Sequence, residues 1–453
     1  MDDSLNNVID FLKRVDELDA ANNLLNVFSK YANSLIHFDI LGRNFSEIKQ
    51  YETAIHWTEK ALVISPDNST MQASRANLAK LYNHSNQPEK SLFYLDINQR
   101  FDPDNPEIDL ERVFSLFLLN RKAESEAILR EMLKREDLSE EIRNRVLFNL
   151  GTHDLDHGDF QKGLRGFLLV GKELGIWSKL ILPGPHWQGG IQPGRELVIV
   201  AEGGIGDSVI FFRMDQILRD YGMKPIWFQP QEGLVPIFKR HGAQVIQNRS
   251  ELNPESLWCY SMSLVIHLDL KEKDLWQGPY LEPDPVYVKK WNWIKHKNEG
   301  FKIGLNWKGN RNYEHDLHRS LDLKELLTVM PPNAKLFSLQ KDSESDLMLE
   351  LENQIDDLSI SLKTLEDLMA AIWNLDLVVT SCTSIAHIAS AMGKRTIVLV
   401  PISKYFVWMR KEKTEAGWTT PWYGDSTTFI EQTECRSWKE PMKQLKDSLI
   451  NKR

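Results

Sequence analysis

The chain has 453 residues, a length that suits about three domains of ordinary size. Hydrophobic residues make up 42% and charged residues 26%, a globular composition that excludes disordered and fibrous classes. The net charge of −9 is unevenly spread: residues 1–177 carry 29 acidic and 21 basic side chains, the remainder 35 and 34. An acidic half repels phosphate backbones, so no nucleic-acid partner is expected. Of 14 tryptophans only Trp57 precedes residue 177, and two compositions in one chain predict two modules. No apolar run approaches the roughly 18 residues needed to cross a bilayer, so no integral membrane segment is expected. The start, MDDSLNN, is acidic where a secretory signal would be basic and then apolar. Cys259, Cys382 and Cys435 are too few and too scattered for a disulfide framework or a zinc site. Together these features predict a cytoplasmic protein.

Leu5, Val8, Leu12, Val15 and Leu18 form one apolar helical stripe. A longer period follows, in which "YETAIHWTEKALVISPDN" and "QPEKSLFYLDINQRFDPDN" share a small residue, an apolar face and Pro-Asp-Asn. Small residues recur at Ala54, Ser91, Ala127 and Gly163, at intervals of 37, 36 and 36. They let paired helices approach closely, while Pro66 and Pro103 end the second helix of their repeats. Leu41-Gly42, Leu78-Ala79 and Leu150-Gly151 take the matching place in the first helix. The third repeat, "LFLLNRKAESEAIL", lacks the closing proline. This pattern resembles the tetratricopeptide repeat (TPR) over about four repeats from residue 35 to 177, the alternative being an ordinary helical bundle. Stacked helix pairs present an extended surface suited to binding, so the module is expected to hold a partner.

From Arg195 short apolar strands alternate with helices. "ELVIVA" reads as a buried strand, "EGGIGD" as a glycine loop, and "SVIFFRMDQILRDYG" as an amphipathic helix closed by Gly222. "KPIWFQ", "AQVIQN" and "LVIHLD" are the next strand candidates. Gly203, Gly204 and Gly206 permit a tight turn and leave helix-start amides open, but the loop is not a complete dinucleotide fingerprint. A second series follows a polar link around 295–300. Its strands are "FKIGLNW", "KLFSLQK", "DLVVTSCTS" and "RTIVLVP", its helices "LDLKELLTVM" and "TLEDLMAAIWNL". "SCTSIAHIASAMGK" reads as a strand end, a cap at Thr383 or Ser384, a short helix and a stop at Gly393. Such a helix start is the ordinary place for a phosphate.

The stretches "EGGIGDSVIFFR", "IGLNWKGN…HRSLDL", "FSLQK", "DLVVTSCTSIAHIASAMGK" and "WTTPWYG" resemble the GT-B glycosyltransferases, in particular the heptosyltransferases and the protein glycosyltransferases of the O-GlcNAc-transferase type. The resemblance implies a helical repeat array at 1–177 and a GT-B fold of two Rossmann-like α/β domains, an acceptor half at 178–295 and a donor half at 296–453. It implies a nucleotide-sugar co-substrate, no other cofactor and no metal. Repeats ahead of such a domain look like bacterial enzymes that glycosylate proteins, flagellins among them, which implies a protein acceptor. By position, Asp207 matches the acidic residue of the glycine loop, proposed as the acceptor's base. Lys308 matches a basic residue facing the donor phosphates, and Thr383, Ser384 and His387 match the helix-start motif that holds the pyrophosphate. Asn310, Arg319 and Gln340, within the same stretches, complete the expected donor set. Cys382 stands where many relatives carry Asp.

Each residue also has a plainer reading. Asp207 suits a helix cap as well as a general base. Lys308 reads either as a solvated strand end or as a phosphate ligand, and His387 as a core histidine or a ligand contact. Arg311, His315, His318 and Arg319 form a basic loop that either closes on a diphosphate or is solvated, with His315 and His318 the next candidates for the base. Cys382 lacks a partner and reads as packing; "RKEKTE" at 410–415 reads as a solvated face. Asp154 and Asp156 lie in the repeats, so no metal site emerges. The expected function is transfer of a sugar from a nucleotide donor to a protein. The alternatives are a transferase building lipopolysaccharide or another lipid-linked saccharide, an inactive adaptor that keeps the fold, and, disfavoured by charge, a DNA-base glycosyltransferase.

Overall fold

A computed structural model describes residues 18–171, 180–297, 299–310, 313, 315–341 and 345–450, together with 7, 9, 10 and 12. Of the stripe expected from Leu5 to Leu18, only Leu12 and Leu18 fall among these, and Arg311 and the expected boundary at 177 lie outside them. The chain divides into two compact units. One comprises Met1–Ile142, Asn310–His318 and Glu434–Arg436; the other comprises Arg143–Gly309, Arg319–Thr433 and Ser437–Arg453.

The first unit is helical. Helix Leu18–Ser29 precedes three helix pairs, Leu35–Glu47 with Tyr51–Ile64, Asn68–His84 with Pro88–Gln99, and Pro106–Leu118 with Lys122–Leu133, each helix packed on the next. Their starts are written locally. Ser34 accepts from the His37 amide, Asp67 and Thr70 form a capping box, and Pro88 and Pro106 occupy first-turn positions. Ala54 is fully buried, and a Cβ on Gly42 would stand 2.6 Å from Thr58 Oγ1, so the first pair does depend on small residues. Ser91 is fully buried as well. The third repeat departs from expectation: Ala127 is exposed, and Ser125 takes the buried place, donating to the Val113 carbonyl at 3.1 Å. Two residues turn a helix by roughly 200°, so a phase error of two points the side chain at the opposite face.

The second unit opens with helices Glu140–Asp156, which begins three residues before it, and Phe160–Leu164, the latter running on as a π-helix over Arg165–Val170. Two sheets follow. β1 (Glu196–Val200), β2 (Lys224–Phe228), β3 (Gln244–Ile246) and β4 (Leu257–Tyr260) form an all-parallel sheet in the order β3-β2-β1-β4. The second sheet holds β5 (Lys302–Asn306), β6 (Lys335–Ser338), β7 (Asp356–Asp357), β8 (Leu377–Ser381), β9 (Thr396–Val400), β10 (Lys413–Thr414), β11 (Gly417–Trp418) and β12 (Thr427–Glu431). Its order is β10-β11-β12-β9-β8-β5-β6-β7, parallel except where β11 pairs with β10 and β12. β5, β8 and β9 are buried at every residue, as parallel strands covered on both faces must be. Both sheets start in the middle and reverse their winding, between β1 and β4 and between β5 and β8. Ligands of doubly wound sheets bind outside the carboxyl ends of strands at such reversals.

Two expectations change. "LVIHLD" is not a strand: β4 is the earlier Leu257–Tyr260, and Leu264–His267 is a buried helical turn. Glu202 sets this, because its amide donates to Ser261 Oγ at 3.2 Å and its carboxylate accepts from the Met262 amide at 3.2 Å, bending the chain straight after β4. A short apolar run has no periodicity by which to tell strand from buried helix. "SVIFFRMDQILRDYG" is two helices, Ile205–Phe212 and Met214–Asp220, joined at Arg213. The 410–415 run is a solvated face as expected, exposed throughout except at the half-buried Thr414, with Arg410 pairing with Glu431 at 2.6 Å and Lys413 beginning β10.

Candidate functional site

β1 delivers the chain into the glycine loop. Gly203 takes a φ of +69°, and its missing side chain leaves the room that the Asp207 carboxyl occupies. Asp207 is at the third position of helix Ile205–Phe212, where Oδ2 accepts from the Gly204 amide at 2.7 Å, so it does cap the helix. Its other oxygen, Oδ1, accepts from the Tyr405 hydroxyl at 2.6 Å. Burial raises the carboxyl above the usual carboxylate range, with the Tyr405 and Gly204 hydrogen bonds and the Arg319 charge acting against it. Gln231 braces the loop, donating to the Gly203 carbonyl at 2.8 Å and accepting from Ser208 Oγ at 2.7 Å.

The second sheet builds its half of the site around Asn306, the last residue of β5. Its Nδ2 donates to Gln340 Oε1 at 2.8 Å, and its Oδ1 accepts from Thr380 Oγ1 at 3.1 Å and Thr383 Oγ1 at 2.9 Å. Gln340 Oε1 also accepts from the Lys308 amide at 3.0 Å. One buried side chain thus ties the Lys308 backbone to Thr383, the cap of helix Ser384–Ala391. The Thr383 hydroxyl donates to Asn306 and makes no cap bond to the first turn of that helix.

The two helix starts meet. A Cβ on Gly206 would lie 2.8 Å from Cδ2 of His387 and 3.5 Å from Cα of Ser384. His387 is 5% exposed; its Nδ1 lies 2.9 Å from the Tyr423 hydroxyl, and its ring stacks on Trp408. Burial, then the charges of Arg213 and Arg319, lower its pKa to about 3, so the imidazole is neutral. Arg213, 5% exposed, donates to the carbonyls of Ile210, Leu275 and Trp422 and to the Tyr280 hydroxyl. It places a positive charge beneath the junction. Arg319 donates to the Cys382 carbonyl at 2.8 Å. The Cys382 thiol accepts from Trp408 Nε1 at 2.9 Å, and burial pushes its pKa up, which suits packing rather than nucleophilic chemistry.

Of the residues singled out in the sequence, Gly203, Gly204, Gly206, Asp207, Lys308, Arg319, Gln340, Thr383, Ser384 and His387 all belong to the second unit. Asn310, His315 and His318 belong to the first, where the rings of His315 and His318 stack at 5.3 Å and His318 Nε2 lies 3.1 Å from the Asn83 carbonyl. Sequence reasoning missed Arg213, Asn306, Tyr405 and Tyr423. For Arg213 and Asn306 a signal existed: an arginine interrupting an apolar helix, and an asparagine closing a buried strand. Among the described residues no group of three or more His, Cys, Asp or Glu is placed to hold a metal ion, and no helix is long and apolar enough to cross a membrane.

No protein-family model and no curated protein matches the chain. Solved structures similar to it include a glycosyl transferase family 9 protein from Veillonella parvula DSM 2008, at 10% identity over 58% of this chain and 95% of that one, with a TM-score of 0.40. A variant of the O-GlcNAc transferase of Thermobaculum terrenum is similar at 12% identity over 99% of this chain and 92% of that one, with a TM-score of 0.39. The ADP-heptose LPS heptosyltransferase II of E. coli is similar at 9% identity over 56% and 99%, with a TM-score of 0.35. These likenesses are distant, and the functional reading rests on the chain's own residues.

Proposed function

We propose that the second unit transfers a sugar from a nucleotide-sugar donor to an acceptor hydroxyl. The observation that carries this reading is the meeting of Gly206 with Ser384 and His387, which sets the Asp207 carboxyl of one doubly wound half against an uncapped helix start of the other. The donor diphosphate would lie on the amides of helix Ser384–Ala391 with Lys308 alongside, where a helix start and a cation stabilise the charge that develops as the sugar–phosphate bond breaks. The acceptor oxygen would bond to the anomeric carbon as Asp207 takes its proton. In this reading basic side chains and helix-start amides do the work that a metal does elsewhere. The helical pairs of the first unit, whose extended surfaces suit binding, would recruit the acceptor, and a protein fits that role best.

The test is a thermal-shift screen of the full chain with nucleotide sugars and nucleoside diphosphates. A ligand at 100 times its dissociation constant stabilises by about 2.7 kcal/mol, which gives a measurable rise in melting temperature. If no member of the panel raises it, the reading fails.

A further inference from the structure

We propose that Tyr405 is a positioning residue for Asp207, reaching from the donor half to orient the carboxyl and favour its ionised form. The proposal rests on the reading of Asp207 as the base. Asp207 follows β1 of the first sheet and Tyr405 follows β9 of the second, so their 2.6 Å hydrogen bond spans the two halves and exists only while they are this close. The bond has a simple consequence. With Oδ2 held by the Gly204 amide and Oδ1 by Tyr405, the carboxyl cannot rotate, and each oxygen keeps a second lone pair for an incoming proton. A hydroxyl that donates to the charged form also offsets part of what burial costs it.

The tyrosine is itself held in place. Its ring meets Phe167 edge-on at 6.0 Å and packs beside Phe406. The preceding residue, Lys404, is 10% exposed and pairs with Asp156 at 2.8 Å and with Glu431, which also binds Arg410. Helix Glu140–Asp156 and β12 therefore both anchor the segment through Lys404. Among the described residues, Arg319, Cys382 and Tyr423 interact electrostatically with Asp207; burial keeps the thiol and the phenol neutral, while Arg319 carries a formal charge that favours the carboxylate.

The experiment compares the full-length wild type, Asp207→Asn, Tyr405→Phe and the double variant by urea unfolding from pH 4 to 8. The pH dependence of the difference between Asp207 and Asn forms reports the native titration of Asp207. In the Tyr405→Phe background its midpoint should rise by about one pH unit, the size expected for loss of a hydrogen bond to the charged form. Incorporating 3-fluorotyrosine at 405, a stronger donor of nearly the same shape, should move it down. A tyrosine that only packs would cost the same at every pH and in both backgrounds, and that result overturns the proposal. Turnover of the donor found by thermal shift separates the two readings. An inactive Asp207→Asn without coupling to Tyr405 leaves the base and removes the positioning role. A fully active Asp207→Asn removes both.

Discussion

Gly206 and His387 come from different halves of the second unit, and a methyl group on the glycine would sit 2.8 Å from the imidazole Cδ2. The ring has nowhere to retreat, because Tyr423 holds its Nδ1 and Trp408 covers its face. Gly206→Ala should therefore push the two helix starts apart. Overpacking of this kind costs about 1–3 kcal/mol, partly offset by alanine's better helix propensity. Urea unfolding should show a net loss, and nucleotide binding should weaken with it. A variant with unchanged stability and unchanged binding would mean that the halves need not meet there.

Asp207→Asn keeps a side-chain oxygen for the Gly204 amide but removes the base. Turnover should fall about a hundredfold, within the usual range for general base catalysis, with donor affinity little changed. Stability should move the other way. A carboxyl whose folded pKa is raised favours folding at low pH and loses that advantage as pH rises through the folded value. The Asn variant should accordingly be the more stable protein at pH 7, and the two should converge as the pH falls toward the ordinary aspartate value. Melting curves at pH 7 and pH 4 check the sign.

His387 has the opposite linkage. Its pKa is lowered to about 3, so its contribution to stability is fully present above the ordinary histidine value and is lost as pH falls from about 6.5 toward 3. His387→Gln should be less stable than wild type at pH 7 yet lose less stability on acidification. Over the span from pH 6 to 4 the wild type should take up close to one more proton on unfolding, measurable as the difference in slope of unfolding free energy against pH. Equal slopes would place the imidazole in water.

Lys308→Ala tests the donor side. Charge-assisted hydrogen bonds contribute about 1.5–3 kcal/mol, so nucleoside diphosphate affinity should fall tenfold or more. Calorimetry with unchanged affinity would remove Lys308 from the site.

Asn306→Ala addresses the same site from beneath. It strips partners from Gln340, Thr380 and Thr383 together, and an unsatisfied buried polar group costs about 1–3 kcal/mol. The variant should unfold at clearly lower urea and bind nucleoside diphosphate more weakly, although Asn306 itself is 3% exposed. Normal affinity in a folded variant would show that Thr383 and Lys308 keep their places without it.

Much of this protein is legible along the chain because its determinants are local. Apolar runs bounded by turns give β1, β2, β3, β5, β6, β8 and β9, and caps such as Asp67 and proline starts such as Pro88 and Pro106 set helix ends. The glycine loop and the helix start at Thr383 or Ser384 were readable for the same reason, since a tight turn and a helix start are each decided within a few residues. What the sequence left undetermined lies where distant segments meet. "LVIHLD" became a helical turn because Glu202, some 60 residues earlier, bends the chain after β4. Asp207 read equally as a cap or a base, and it took Tyr405, 198 residues on, to show that one oxygen caps while the other is held from across the halves. The arginine interrupting an apolar helix and the asparagine closing a buried strand marked Arg213 and Asn306 as positions but not their roles, because a buried polar side chain is defined by partners that only folding brings within hydrogen-bond reach.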